Sequence, residues 1–314
     1  MKQARLSLIV SLLWVLCACS SDDTSLTEER VPIRLTASSV NVTTRATGSL
    51  QDTQIAEGEN VYAWVDEVDG SNNYLKAWTL TATTTADASH DGYYQLSGST
   101  QYYPASRKNL NLYAVHGNFT ETLTEGTTDR PATLTHTVMT DQSTAANYQK
   151  SDLLYASSTG IAYGTEPVPL LFSHRLSRII IRLVKDPQST RYDNESKLTG
   201  STLTIGGTIY NVGTFTLASQ TFENTTSTSS ITLCSGEDLK FYAPANVATT
   251  QYCAILLPQT LTDATITITT GASITSSGTF SLDMSDGIGK AYILNVTLSD
   301  PGLIVDATKF TEQW

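Results

Sequence analysis

Past its first thirty residues this chain is written in short runs whose apolar residues fall at every second place, and no run sustains a helical period. A two-residue period puts successive side chains on opposite faces, as in strands buried on one side. Gly, Asn, Asp and Pro punctuate the runs at close intervals, which points to an all-β sandwich architecture. The stretch Val31–Thr47, VPIRLTASSVNVTTRAT, is the piece around which the rest is organised. Val31, Ile33, Leu35 and Ala37 alternate, and a polar, β-branched segment then runs to Arg45. An arginine between Thr44 and Ala46, in a stretch with no helical pattern, is open to a protease that cuts after arginine. Such a cut would sever a strand that packs into the domain after it; an ordinary loop arginine is the plainer reading.

The chain opens MKQARLSLIVSLLWVLCAC. Lys2 and Arg5 form a positive start, and Leu6–Leu16 is an apolar run of signal-peptide length, too short to span a bilayer as a helix. It ends Leu16-Cys17-Ala18-Cys19, which resembles a bacterial lipobox. That resemblance implies cleavage before Cys19 and lipidation of its thiol and new amino group; ordinary secretion is the alternative. The acidic tract SSDDTSLTEER, next in the chain, is similar to the surface-export tract of Bacteroidetes lipoproteins, and is physically a solvated tether.

About 295 residues then remain, enough for two ordinary domains. The formal charge of −11 becomes −13 once Lys2 and Arg5 leave. That disfavours nucleic acid and anionic membrane surfaces as partners. A charged content of only 16%, with abundant Thr, Ser and Tyr, fits a secreted β-protein. Cys234 and Cys253, in SITLC and YCAILLP, are open to either a disulfide or two buried thiols.

From Glu59, NVYAWVDEV and YLKAWTL flank Asp69-Gly70-Ser71-Asn72-Asn73. Pairing them about that turn sets Trp64 opposite Trp78, Asp66 opposite Lys76 and Tyr62 opposite Leu80. YYQLSG, TQYYPAS, NLNLYAVHG, TLTHTVM and DLLYASS come next, with one short helical turn near Thr144–Lys150. The two prolines of Gly164–Pro169 mark the clearest internal boundary. Beyond it Ile179, Ile181 and Leu183 alternate with Arg178, Arg182 and Val184, a strand covered on one face. A second series reads STLTIGG, TIYNVGTFTL, SSITLC, LKFYAP, QYCAILLPQ, ATITITT, SGTFSLDM, AYILNVTLS and GLIVDATKF.

Nothing here carries catalysis, a metal or a cofactor. His90, His116, His136 and His174 are isolated, and no HExxH, GxSxG or Cys/His metal spacing occurs. Gly287-Ile288-Gly289-Lys290-Ala291 lacks the upstream glycine and following hydroxyl of a phosphate loop, and reads as a turn. The Asp69–Asn73 loop lacks the alternating acids and distal Glu of a calcium site.

Several short motifs now stand in order: the lipobox at Cys19, the strand ending Thr44-Arg45-Ala46, Tyr102-Tyr103-Pro104 before NLNLYAVHG, Asp152-Leu153-Leu154-Tyr155-Ala156, and Phe172-Ser173-His174-Arg175-Leu176-Ser177. Together they resemble the fimbrillin-like proteins of Bacteroidales, the subunits of the type V pilus. Cys17 in the lipobox and the Cys234/Cys253 pair depart from that pattern. The resemblance implies two tandem transthyretin-like β-sandwich domains and a non-enzymatic, adhesive role. It divides the chain into a lipoprotein signal peptide (1–18), a lipidated propeptide with a removable first strand (19–45), an N-terminal domain (46–165) and a C-terminal domain (166–314). It implies a lipidated precursor on the outer membrane, cleavage between Arg45 and Ala46 by an Arg-specific surface protease, and polymerisation with other fimbrial subunits by strand exchange.

The same mechanism has a physical logic of its own. The strand Val31–Ala37 buries three or four apolar side chains at roughly 1.5–3 kcal/mol each and pairs a sheet edge. Once cut it is held noncovalently, and an extended segment of another subunit could replace it. The candidate donor is Ala291–Phe310, with Leu294, Val296 and Leu298 before Pro301-Gly302 and Leu303, Val305 and Ala307 after it; a final hairpin packed on its own domain is the alternative. The rival function is an unpolymerised surface glycan-binding lipoprotein using exposed aromatics such as Trp64 and Trp78 as stacking platforms.

Overall fold

The structure, a computed structural model, describes residues 30–39, 55–70, 72–307 and 311–313. Alternating apolar residues fold into strands throughout the described chain. The N-terminal half contains β1 (Pro32–Ser39), β2 (Asn60–Glu67), β3 (Leu75–Ala86), β4 (Tyr94–Tyr102) and β5 (Leu110–His116). It continues through β6 (Thr133–Thr137), the short helix α1 (Ala145–Lys150), β7 (Leu154–Ile161) and β8 (Val168–His174). Seven of these strands close on themselves in the order β1-β4-β3-β2-β5-β7-β8. Every pairing in the ring is antiparallel except the closing one, where β1 runs parallel to β8. Ile33, Val61, Ala63, Leu80, Leu112, Leu154 and Phe172 fill its interior. The helical turn expected near Thr144–Lys150 is α1, capped by the Thr144 hydroxyl, which accepts from the Asn147 N–H.

Two expectations about this half are corrected. Trp64 and Trp78 do not face each other: Ala63 lies opposite Trp78, Tyr62 opposite Thr79 and Val61 opposite Leu80, with an irregularity before Val65 pairs with Leu75. A one-residue slip flips every side chain to the other face. Trp78 therefore points into the ring, and Trp64 belongs to a different cluster outside it. Asp66 pairs with Arg130 rather than Lys76, and Lys76 pairs with Asp129. Nor does Gly164–Pro169 separate the two sheet systems. β8, beyond it, pairs with β1 and β7, and the chain leaves the ring only after His174. β7 pairs with β8 only at Ser173 and His174, so the missing N–H of Pro169 interrupts no ladder on that side.

The C-terminal half forms two sheets from β9 (Ser177–Lys185), β10 (Ser201–Thr216), β11 (Thr221–Glu237), β12 (Gln251–Leu256), β13 (Thr260–Thr269), β14 (Thr275–Asp283), β15 (Lys290–Ser299), β16 (Gly302–Asp306) and β17 (Thr311–Gln313). One sheet runs β11-β10-β13-β14, with β6 on the far half of β10. The other runs β12-β9-β15-β16, and β17 pairs with the start of β15. Ile205 and Ile266 of the first sheet and Ile181 and Leu294 of the second share one core. A third cluster joins this body to the ring: Trp64, Val115 and Tyr155 pack with Ile180, Phe215, Ile255 and Ile293.

That junction explains a further difference. β9 is buried on both faces, with Ile179 and Ile181 in one core and Ile180 in the other, and Arg178 fully enclosed. LKFYAP is not a strand. Its N–H groups find other acceptors: Lys240 donates to the Tyr252 hydroxyl at 2.7 Å and Phe241 to the Glu195 carboxylate at 3.0 Å.

Candidate functional site

The strand β1 closes the ring, and its sequence shows why it fits there. Ile33, Leu35 and Ala37 point inward and are buried; Val31 is half-buried against the same core. On one side Leu35–Ser39 pair with Val168–Phe172 of β8. On the other, β1 pairs with β4 in two pieces, Pro32 and Ile33 against Tyr102 and Gln101, then Leu35–Ala37 against Leu96–Tyr94. One residue, Arg34, spans what Ser97–Thr100 span on β4, so the ladder opens there beside a cleft of about 400 Å³ lined by Ile33, Leu35, Trp78 and Leu96.

Polar contacts fix the strand's ends and its outer face. The Tyr103 N–H donates to the Val31 carbonyl at 3.0 Å, and the Arg30 guanidinium lies 4.6 Å from the centre of the Tyr102 ring. Arg34 donates to the Thr165 carbonyl. Thr36 points out of the ring yet is only 1% exposed, because the segment after β3 covers it. Its hydroxyl donates to Asp87 Oδ2 at 3.1 Å. Asp87 is itself buried; its Oδ1 accepts from the Ser89 N–H at 2.9 Å and its Oδ2 lies 2.6 Å from His90 Nδ1. Burial alone would raise this carboxyl, but Ser89, His90 and Thr36 outweigh it and hold it below the usual carboxylate range. Sequence reasoning missed this contact, which joins residues 51 positions apart with no motif between them.

At the other end of the chain, β15 and β16 form a hairpin that sets Leu298 opposite Leu303 and Val296 opposite Val305. The two halves of the candidate donor differ sharply. β15 is internal to its sheet, paired along eight residues with β9, and Leu294, Val296 and Leu298 are fully buried. β16 and β17 pair with β15 on the side away from β9 and form the edge of the sheet. Leu303 is buried, Val305 and Ala307 are half-buried, and Ile304 is 60% exposed. Cys19, Arg45 and Ala46 lie outside the described residues.

The remaining residues singled out in the sequence have structural places. Trp64 and Trp78 are buried, and their indole N–H groups donate to the Thr128 and Ser99 carbonyls. Neither is an exposed platform on which a sugar could stack. Cys234 and Cys253 are not joined by a disulfide, and burial pushes the Cys234 thiol up to about 12. His116 bonds the Asn60 carbonyl, and His174 pairs with Asp152 at 2.9 Å in the interior. Gly287–Lys290 is a turn closed by the Lys290 N–H on the Gly287 carbonyl. Among the described residues no three His, Cys, Asp or Glu side chains converge as a metal site, and no helix is long and apolar enough to cross a membrane.

Comparison with known proteins bears on this arrangement. No curated protein matches the chain in sequence. Among solved structures it is similar to a candidate cell adhesion protein from Bacteroides uniformis, with a TM-score of 0.62 at 19% identity over 92% of this chain and 99% of that one. A second candidate cell adhesion protein, from Bacteroides ovatus, superposes with a TM-score of 0.59 at 17% identity, over 91% and 98% of the two chains. A fimbrial protein from Bacteroides vulgatus gives 0.51 at 15% identity, over 90% and 99%. At these identities the likeness is one of fold. The sequence itself matches the fimbrillin-like family model over residues 44–314, and the chain belongs to the fimbrillin-like family.

Proposed function

We propose that this protein is a structural subunit of a cell-surface fimbrium that serves adhesion, and that it assembles by exchanging β1 for a strand of another subunit. In this reading it is exported as a lipoprotein anchored to the outer membrane through Cys19. A surface protease then cuts between Arg45 and Ala46. The observation that carries the reading is the position of β1. It completes the ring, buries Ile33, Leu35 and Ala37, and its C-terminal end is joined to the rest of the chain only through the segment containing Arg45. One cut there leaves it held by noncovalent contacts alone and also frees the body from the lipid. The family match begins at residue 44 and so leaves β1 outside it.

The donor is best sought in the last strand. Withdrawing β15 would break the centre of a sheet and empty a core, whereas β16 and β17 can leave from its side. Leu303, Val305 and Ala307 repeat the spacing and the large-large-small order of Ile33, Leu35 and Ala37. Backbone pairing would supply affinity and these side chains the register. The test is the mass of the protein extracted from the cell surface. The wild type should give a ladder of processed oligomers, and Arg45→Ala lipid-anchored monomers. Cys19→Ala should keep its signal peptide and stay off the outer membrane. Normal fibres from Arg45→Ala would sink the cleavage step.

A further inference from the structure

Resting on the strand-exchange reading above, we propose that Asp87 makes the β1 slot selective for a strand carrying a hydroxyl at the place of Thr36. This chain's slot is then filled by a different subunit rather than by the C-terminal strand of a second copy. The partner strand would read apolar, any residue, apolar, Ser or Thr, apolar.

The side chain at position 36 is enclosed, and the carboxylate beside it is buried and already accepts from Ser89 and His90. Such an oxygen welcomes a further donor and disfavours an apolar group, which would leave it short of a partner. It disfavours another carboxylate more strongly, because two such groups in one enclosed site cannot both stay ionised. Lay the chain's own last strand in the slot with Leu303, Val305 and Ala307 over Ile33, Leu35 and Ala37. Asp306 then falls on position 36, against Asp87. Sliding the strand so that Leu303 replaces Leu35 puts Ile304 there. Sliding it the other way brings Thr308 to Asp87 but drives Lys309 into the buried place of Ala37. Reversing the strand puts Ile304 against Asp87 once more. Every arrangement that keeps the apolar alternation in the slot meets a carboxylate, lacks a donor, or buries a lysine.

Two measurements test this. In the full chain, Thr36→Ser, which keeps the hydroxyl and loses one buried methyl, should lower the denaturation midpoint only slightly, and Thr36→Asp should lower it far more. Adding Asp87→Asn to Thr36→Asp should recover most of the loss, since the new amide can donate to the introduced carboxylate. If Thr36→Asp does not fold, the double variant must. Equal stability of Thr36→Asp and wild type, or no recovery in the double variant, overturns the proposal. The second measurement uses the chain cut after Arg45 and labelled peptides. The peptide of residues 302–314 should enter at least tenfold more weakly than its Asp306→Thr form, and the peptide of residues 30–39 should enter as the reference. Equal entry by both C-terminal peptides overturns the proposal. If the reference peptide itself cannot exchange, strand exchange is what fails, and the intact-chain variants still decide the role of Asp87.

Discussion

Acid should weaken this protein through one buried imidazole at the junction between the ring and the two sheets. His136 lies on β6 and is fully enclosed. Its Nδ1 accepts from the Asn118 N–H at 3.2 Å and its Nε2 lies 3.0 Å from the Ser151 carbonyl, so the neutral ring donates from Nε2 and has no place for a second proton. Burial dominates and lowers its pKa from 6.5 to about 4, against smaller opposing effects of the Ser151 carbonyl and Asp152. Between those values the unfolded chain binds the proton and the folded one does not. The stabilisation is therefore complete above about pH 6.5 and declines as pH falls to about 4. A shift of this size amounts to about 3 kcal/mol, a large fraction of the stability of an ordinary domain. Chemical denaturation of wild type and His136→Gln at pH 7.5, 5.5 and 4.2 reads it directly. The variant should be less stable at pH 7.5, where it loses fitted hydrogen bonds, but the gap should narrow by about 3 kcal/mol toward pH 4.2. Carboxylates titrate in both proteins and cancel in the difference. Parallel pH curves would refute this role for His136.

Three further perturbations test the packing. Gly278→Ala would drive a Cβ into the Leu303 carbonyl, so β16 should be pushed off β14; limited proteolysis should then release the C-terminal segment faster while the rest of the fold persists. Arg130→Ala removes the partner of the buried Asp66, 2.9 Å away, and the cation over the Tyr113 ring. Because Arg130 is partly exposed, the loss should be about 2 kcal/mol rather than the full cost of breaking a buried pair, read as a shift in urea midpoint. Leu35→Ala should cost about 2–5 kcal/mol, and in the chain cut after Arg45 it should speed the departure of β1, seen as faster uptake of a labelled peptide of residues 30–39.

Much of the fold could be read from the chain alone. A two-residue period is a property of consecutive side chains, so the strands, the inward set Ile33, Leu35 and Ala37, and the helical turn after Thr144 were all legible before any partner was known. The period says which residues share a face. It does not say what covers the face, and only the packed structure decided that. Ile180 looked like the solvent side of β9 until the junction core enclosed it. Trp64 and Trp78 lie on different faces through one irregularity after Ala63, because a single-residue slip inverts a whole strand. The prolines of Gly164–Pro169 signal a break in the chain's direction, but closure of the ring by β8 depends on β1, more than a hundred residues earlier. The alternation in β15 and β16 is the same in sequence; one is internal and the other lies at the edge, because strand order in a sheet is set by which edges meet. Thr36 and Asp87 meet for the same reason: the ring brings β1 beneath the segment after β3, and the hydrogen bond between them exists only once it has closed.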